Sequence, residues 1–89
     1  MTKVELLKEK AGISACSFIS DGMALGLGTG STVRYSIIEI ARMIKNEGFD
    51  LVGVPTSEET RRLSERLDIP IRDINESGKL DLTIDGADE

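Results

Sequence analysis

Two segments of this sequence hold residues whose types and spacing suit chemistry. The first is Gly26-Leu27-Gly28-Thr29-Gly30-Ser31-Thr32, which joins a short apolar run to a helical pattern. Such a junction is an anion cradle, because backbone N–H groups, the positive end of a helix and hydroxyls converge there. Its glycines permit close approach and positive φ. A plain strand-to-helix turn needs only a capping Ser or Thr, and three glycines in five residues exceed that need. The second segment is Asp85-Gly86-Ala87-Asp88-Glu89, with three carboxylates in five residues. Asp85 and Asp88, three apart, suit a turn that aims both into one cleft. There they would bind sugar hydroxyls, orient water or hold a hard metal such as magnesium. The plainer alternative is an acidic helix start with Asp85 as its cap.

The glycine loop fits no common nucleotide site. A dinucleotide fingerprint needs G-x-G-x-x-G and an acid after the second strand, but here the spacing is G-x-G-x-G and that strand closes on Val54-Pro55. A P-loop needs Gly-Lys-Ser/Thr, and Gly30 is followed by Ser31. Methyltransferase loops that read G-x-G-x-G also want the missing acid. A small sugar phosphate or carboxylate suits the loop better.

The elements that must position these segments follow from the hydrophobic pattern. Thr2 and Glu5 form a capping box that opens a helix over 3–20, with Leu7, Ala11, Ala15, Phe18 and Ile19 as its apolar stripe. Gly12 lowers the propensity of that helix by about 1 kcal/mol relative to alanine, which points to a close packing contact. Met23–Leu27 is a buried-type strand. A second helix starts at Ser31 or Thr32, buries Val33, Ile37, Ile40, Ala41 and Ile44, and stops at Gly48. Leu51–Val54 is the second strand. Thr56-Ser57-Glu58-Glu59 is another capping box, for a helix that buries Leu63 and Leu67. Ile69–Ile71 leads into a brief third strand, 75–78 is a turn, and Leu80–Ile84 is a fourth strand. The order αβαβαββ predicts an α/β fold, a three-layer Rossmann-like domain over residues 1–89 with a mainly parallel sheet, incomplete at its C-terminus. In such sheets ligands sit beyond the carboxyl ends of the strands, where both loops lie.

Composition narrows the chemistry. The 89 residues contain no His, no Trp and one Cys, so neither a Ser-His-Asp triad, a disulfide nor a Cys/His zinc site is available within them. Aromatics are 3%, which leaves the core to aliphatic side chains. Residues 1–56 carry six acids and six bases and residues 57–89 carry ten and five, so the net −5 lies in the last third. No basic patch is dense enough to neutralise a run of phosphates, which argues against nucleic acid as a partner. No apolar run approaches 18 residues, which argues against a membrane span. A start that opens an amphipathic pattern with acids in it, unlike a signal peptide, and an unpaired cysteine favour a cytoplasmic setting. Cys16 is read as a core residue, Arg61, Arg62 and Arg66 as a solvated face with Glu58, Glu59 and Glu65, and Lys8 as a surface lysine, the alternative being that it leans toward a phosphate from the first helix. Thr56-Ser57 is read as a helix cap.

Gly26 to Thr32, then Thr56-Ser57 opening a helix, then Asp85-Gly86-Ala87-Asp88-Glu89, together resemble type A ribose-5-phosphate isomerase. The three segments occur in that family's order and near its spacing. The resemblance implies interconversion of D-ribose 5-phosphate and D-ribulose 5-phosphate in the pentose phosphate pathway, through an ene-diolate and with no metal or organic cofactor. It implies substrate binding by Thr29, Gly30, Ser31 and Thr32, and by Asp85, Gly86, Ala87 and Asp88. The family's Lys-Gly-Gly-Gly loop and catalytic glutamate are C-terminal to the aspartate loop and not among these residues, so no catalytic residue is assigned here and the 89-residue chain alone is expected to be inactive. The expected partner is a small sugar phosphate, and the open sheet edge predicts a homo-oligomer. The competing reading is a non-catalytic sugar-phosphate-binding or sensor module of related fold. These 89 residues contain no DNA-binding helix-turn-helix of the kind such sensor modules carry, and Asp-Gly-Ala-Asp-Glu fits the isomerase better.

Overall fold

A computed structural model describes residues 2–76 and 78–85. Its helices are α1 (Lys3–Ala15), α2 (Ser31–Glu47) and α3 (Glu58–Arg66), and its strands are β1 (Ala24–Leu27), β2 (Val52–Pro55) and β3 (Leu82–Ile84). β1 is central and pairs in parallel with both neighbours, giving the order β2-β1-β3. The register sets Leu25 beside Gly53 and Leu82, and Leu27 beside Pro55 and Ile84. Residues in register share a sheet face. On that face Leu25, Leu27 and Ile84 join Val33, Ile37, Ile40 and Met43 of α2 in one core, with Leu63 and Leu67 of α3 packed against it. Each fully buried Leu or Ile contributes roughly 1.5–3 kcal/mol. The other face carries Ala24, Gly26, Val52, Val54 and Thr83, and Leu80 lies across Gly26 there. The described residues thus supply the sheet and one helical layer of a Rossmann-like domain.

The expected third strand reduces to a single parallel bridge between Gly53 and Ile71. Gly53 N–H donates to Pro70 O at 2.8 Å and Arg72 N–H donates to Gly53 O at 2.9 Å. Pro70 has no N–H with which to extend the ladder, and Asp73 turns the chain by accepting from Asn75 N–H at 2.8 Å. Of the expected turn 75–78, Ser77 lies outside the described residues. β3 starts at Leu82, two residues later than predicted, because Asp81 is spent on an anchor. Its carboxylate accepts from Ala24 N–H at 2.8 Å, and its own N–H donates to Ala24 O at 2.9 Å.

α1 departs furthest from expectation. It ends at Ala15, followed by a 3-10 turn over Cys16–Phe18. The predicted stripe is largely outside the core: Leu7 is 57% exposed and Phe18 70%, and only Ile19 of that set is buried. What docks α1 is Gly12. A Cβ there would stand 2.6 Å from Thr32 O and 2.8 Å from Tyr35 Cβ, so the two helix backbones nearly touch. Ser36, fully buried, seals the contact by donating from Oγ to Gly12 O at 2.7 Å. Successive helical residues differ by about 100° round the axis. Docking through Gly12 therefore turns Leu7 and Ala11 aside and brings Lys8 round to face α2.

The caps follow the sequence closely. Thr2 Oγ1 accepts from Glu5 N–H at 3.1 Å at the start of α1. At α3 the cap is Ser57, which accepts from Thr60 N–H at 3.2 Å, one residue later than the predicted Thr56. The solvated α3 face is as expected, with Arg62–Glu58 at 3.6 Å and Arg61–Glu65 at 3.9 Å. Pairs this exposed add a few tenths of a kcal/mol at most.

Candidate functional site

The glycine loop leaves β1 at the carboxyl edge of the sheet. Gly28 N–H donates to Ile84 O at 2.9 Å, which extends the β1–β3 pairing by one step. Gly30 then adopts φ 122°, a value that side chains oppose, and serves as the N-cap of α2. Having no side chain, it cannot cap the helix itself, and no side-chain cap bond is made there. Ser31 and Thr32 form the first turn of α2 beside it. From α1, Lys8 Nζ donates to Ser31 Oγ at 2.7 Å. A cleft of about 330 Å³ opens at this point, lined by Glu5, Lys8, Ser31, Arg34, Tyr35 and Ile38. A helix N-terminus, an ammonium and a guanidinium meet there, a field suited to a phosphate.

Asp85 sits directly against the same loop. A Cβ on Gly28 would stand 2.7 Å from Asp85 Oδ1 and 3.2 Å from Asp85 Cα. Gly28 is therefore required for close approach, and its absent side chain is what brings an exposed carboxylate onto the glycine loop. The β2–α3 junction supports the loop from the other side. Thr56 Oγ1 and Thr56 N–H both donate to Leu27 O, each at 3.0 Å. Ser57 Oγ stands 3.2 Å from Thr29 Oγ1, and Thr60 Oγ1, almost fully buried, donates to Gly28 O at 2.8 Å.

Of the residues selected from sequence, Thr29, Gly30, Ser31, Thr32 and Asp85 come to one sheet edge. Gly86, Ala87 and Asp88, with Glu89, lie outside the described residues. Lys8, read as a surface lysine, is instead half-buried and bonded to the loop. The signal that would have placed it was Gly12, one turn further along the same helix face. Thr60 was not selected at all, since shifting the cap from Thr56 to Ser57 is what brings it under Gly28. Among the described residues no group of three or more His, Cys, Asp or Glu comes together to hold a metal. Nor is any helix among them long and apolar enough to cross a membrane.

Cys16 is a core residue, as its position predicts. It is 4% exposed, with Sγ 3.5 Å from both Gly12 O and Ser36 O. Burial, and secondarily the nearby Glu39 carboxylate, push its thiol up to about 11. The nucleophile is the thiolate. At pH 8 the folded chain should therefore react with an aromatic disulfide reagent roughly 100-fold more slowly than the urea-unfolded chain. Equal rates would contradict the burial.

Comparison with known proteins converges on one family. The family model for ribose 5-phosphate isomerase A (phosphoriboisomerase A) matches residues 52–89. A ribose-5-phosphate isomerase A from Streptococcus pyogenes is 49% identical over 86 residues, covering 97% of this chain and 38% of the relative. Among solved structures, ribose 5-phosphate isomerase A from Methanocaldococcus jannaschii superposes with TM-score 0.86 at 37% identity, over 91% of this chain and 36% of that one. A D-ribose-5-phosphate isomerase in complex with phospho-erythronic acid superposes with TM-score 0.89 at 39% identity, over 94% and 37% respectively. The chain thus spans little more than a third of the length of the relatives it matches.

Proposed function

Because the chain belongs to the ribose-5-phosphate isomerase A family, we propose that its two loops bind D-ribose 5-phosphate for interconversion with D-ribulose 5-phosphate. The observation that carries this is the convergence on one loop of Lys8, bonded to Ser31 Oγ, and Asp85, seated on Gly28. One group recognises a phosphate and the other a sugar hydroxyl, at neighbouring points of the same sheet edge. Ser31, Thr32 and the start of α2 take the phosphate, with Lys8 supplying the charge. Thr29 and Asp85 take the sugar, and Gly86, Ala87 and Asp88 continue that second loop. A relative solved with phospho-erythronic acid bound supports the substrate class, since that ligand joins a phosphate to a four-carbon acid.

The reaction moves the C2 proton of the aldose to C1 through an ene-diolate, while a proton leaves O2 and one joins O1. It needs a base to carry the carbon-bound proton and an electrostatic partner for the developing oxyanion. Asp85, exposed and beside the loop, is assigned to hydroxyl binding, and none of the described residues is assigned as the base. Calorimetry of the chain with D-ribose 5-phosphate should therefore show uptake without conversion to ribulose 5-phosphate. Turnover at a rate typical of enzymes would overturn the assignment of the base elsewhere, and absence of uptake would overturn the substrate reading. Asp85→Asn should weaken ribose 5-phosphate roughly fivefold to tenfold while leaving inorganic phosphate unchanged. An equal loss for both ligands would remove Asp85 from the sugar end.

A further inference from the structure

Thr60 and Ser57 form a hydroxyl relay beneath the phosphate loop, whose proton directions follow from what each group can do. Gly28 O only accepts, so Thr60 Oγ1, at 2.8 Å, commits its one proton there. Thr60 Oγ1 can then only accept from its other neighbour, Ser57 Oγ, at 3.0 Å. Ser57 Oγ already accepts from Thr60 N–H at 3.2 Å and has one proton, with Thr60 Oγ1 and Thr29 Oγ1 both in reach. That proton has two resting places. Turned to Thr60, it leaves Ser57 Oγ able to accept from Thr29 Oγ1. Turned to Thr29, it leaves the Thr29 proton for a ligand.

We propose that Thr60 is a positioning residue for the substrate loop: its buried hydroxyl fixes the Gly28 carbonyl and so holds the Gly28–Gly30 backbone, and the Thr29 that it carries, in place for an anionic ligand. The inference rests on the sugar-phosphate reading above and names what prepares that loop. Thr60 itself is 3% exposed, so it acts through the loop without touching ligand. Removing its hydroxyl leaves Gly28 O without this donor. The loop thereby loses its anchor, while the α3 cap, which uses Thr60 N–H, survives.

Thr60→Val preserves the branched shape and Thr60→Ser restores the hydroxyl. If valine prevents folding, Thr60→Ala removes the hydroxyl without its second methyl. The Gly28 carbonyl ¹³C resonance reports the hydrogen bond directly, and titration of the folded chain with D-ribose 5-phosphate reports its consequence. The Val (or Ala) variant should move the Gly28 carbonyl resonance and weaken ribose 5-phosphate about tenfold, and Thr60→Ser should return the resonance toward its parent position and the affinity to within about twofold of the parent. The proposal is overturned if the carbonyl moves while affinity holds, or if the serine variant regains the carbonyl signal yet binds as weakly as valine. A parent chain that takes up no ribose 5-phosphate overturns the sugar-phosphate reading instead. The Gly28 carbonyl signal then still decides whether Thr60 fixes the loop: a shift in the Val variant that serine reverses supports it, and no shift overturns it.

Discussion

Gly12→Ala is expected to destabilise the chain, although alanine is the better helix former. Propensity alone predicts a gain of about 1 kcal/mol for alanine within α1. Against it stands a Cβ placed 2.6 Å from the backbone oxygen of Thr32 and 3.0 Å from the backbone nitrogen of Ser36. Neither neighbour is the end of a flexible side chain, so α1 must withdraw from α2. Withdrawal opens the contact of Cys16 Sγ with Ser36 O and stretches the buried Ser36 Oγ to Gly12 O bond. Overpacking of this kind costs about 1–3 kcal/mol, and weakening a buried hydrogen bond adds about 1 kcal/mol. The net expectation is a loss of about 1–3 kcal/mol for alanine and more for valine. In a domain of this size that lowers the Tm by roughly 5–20 °C. A raised Tm would show that α1 is held by something other than the Gly12 contact.

The second large effect concerns Lys8. Lys8→Met keeps the length and apolar stem of the side chain while removing the ammonium that reaches Ser31 Oγ at 2.7 Å. A charge-assisted hydrogen bond to phosphate contributes about 1.5–3 kcal/mol. Ribose 5-phosphate affinity should accordingly fall roughly tenfold to a hundredfold, with the loss shrinking as salt screens the exposed part of the field. Stability should hardly change, since Lys8 belongs to no core contact. Gly12→Ala should weaken binding as well, because the ammonium moves with the helix that carries it. The two substitutions therefore overlap in binding but separate in Tm. A Lys8→Met chain that binds as tightly as the parent would dissociate Lys8 from the site.

These two residues also explain how far the sequence could be read. The glycine loop, the caps, two of the helices and the parallel strands were legible because each rests on a local rule: a turn glycine, an N-cap, a buried apolar run. The orientation of α1 was not legible from its apolar stripe. Val4, Leu7 and Phe18 carry a strong hydrophobic signal and remain exposed, whereas the docking face is set by Gly12, whose signal is an absent side chain. Lys8 was misplaced for the same reason. Thr60 illustrates a different limit, in which a one-residue shift of the cap turns an ordinary helical threonine into a support for Gly28. The bridge at Ile71 illustrates a third. An apolar triplet looked like a strand, and Pro70 together with the Asp73 turn left room for one residue of pairing.

The central claim is that Lys8, the Gly28–Thr32 loop and Asp85 form one sugar-phosphate half-site. An amide ¹H–¹⁵N titration of the chain with D-ribose 5-phosphate, alongside D-ribose and inorganic phosphate, tests it most directly. Ribose 5-phosphate should shift the amides of residues 28–32 and of Asp85 together along one saturating curve. Inorganic phosphate should move the start of α2 but not Asp85, and ribose alone should move neither appreciably. Shifts that fall elsewhere on the fold, or a chain silent to ribose 5-phosphate at millimolar concentration, would contradict the half-site.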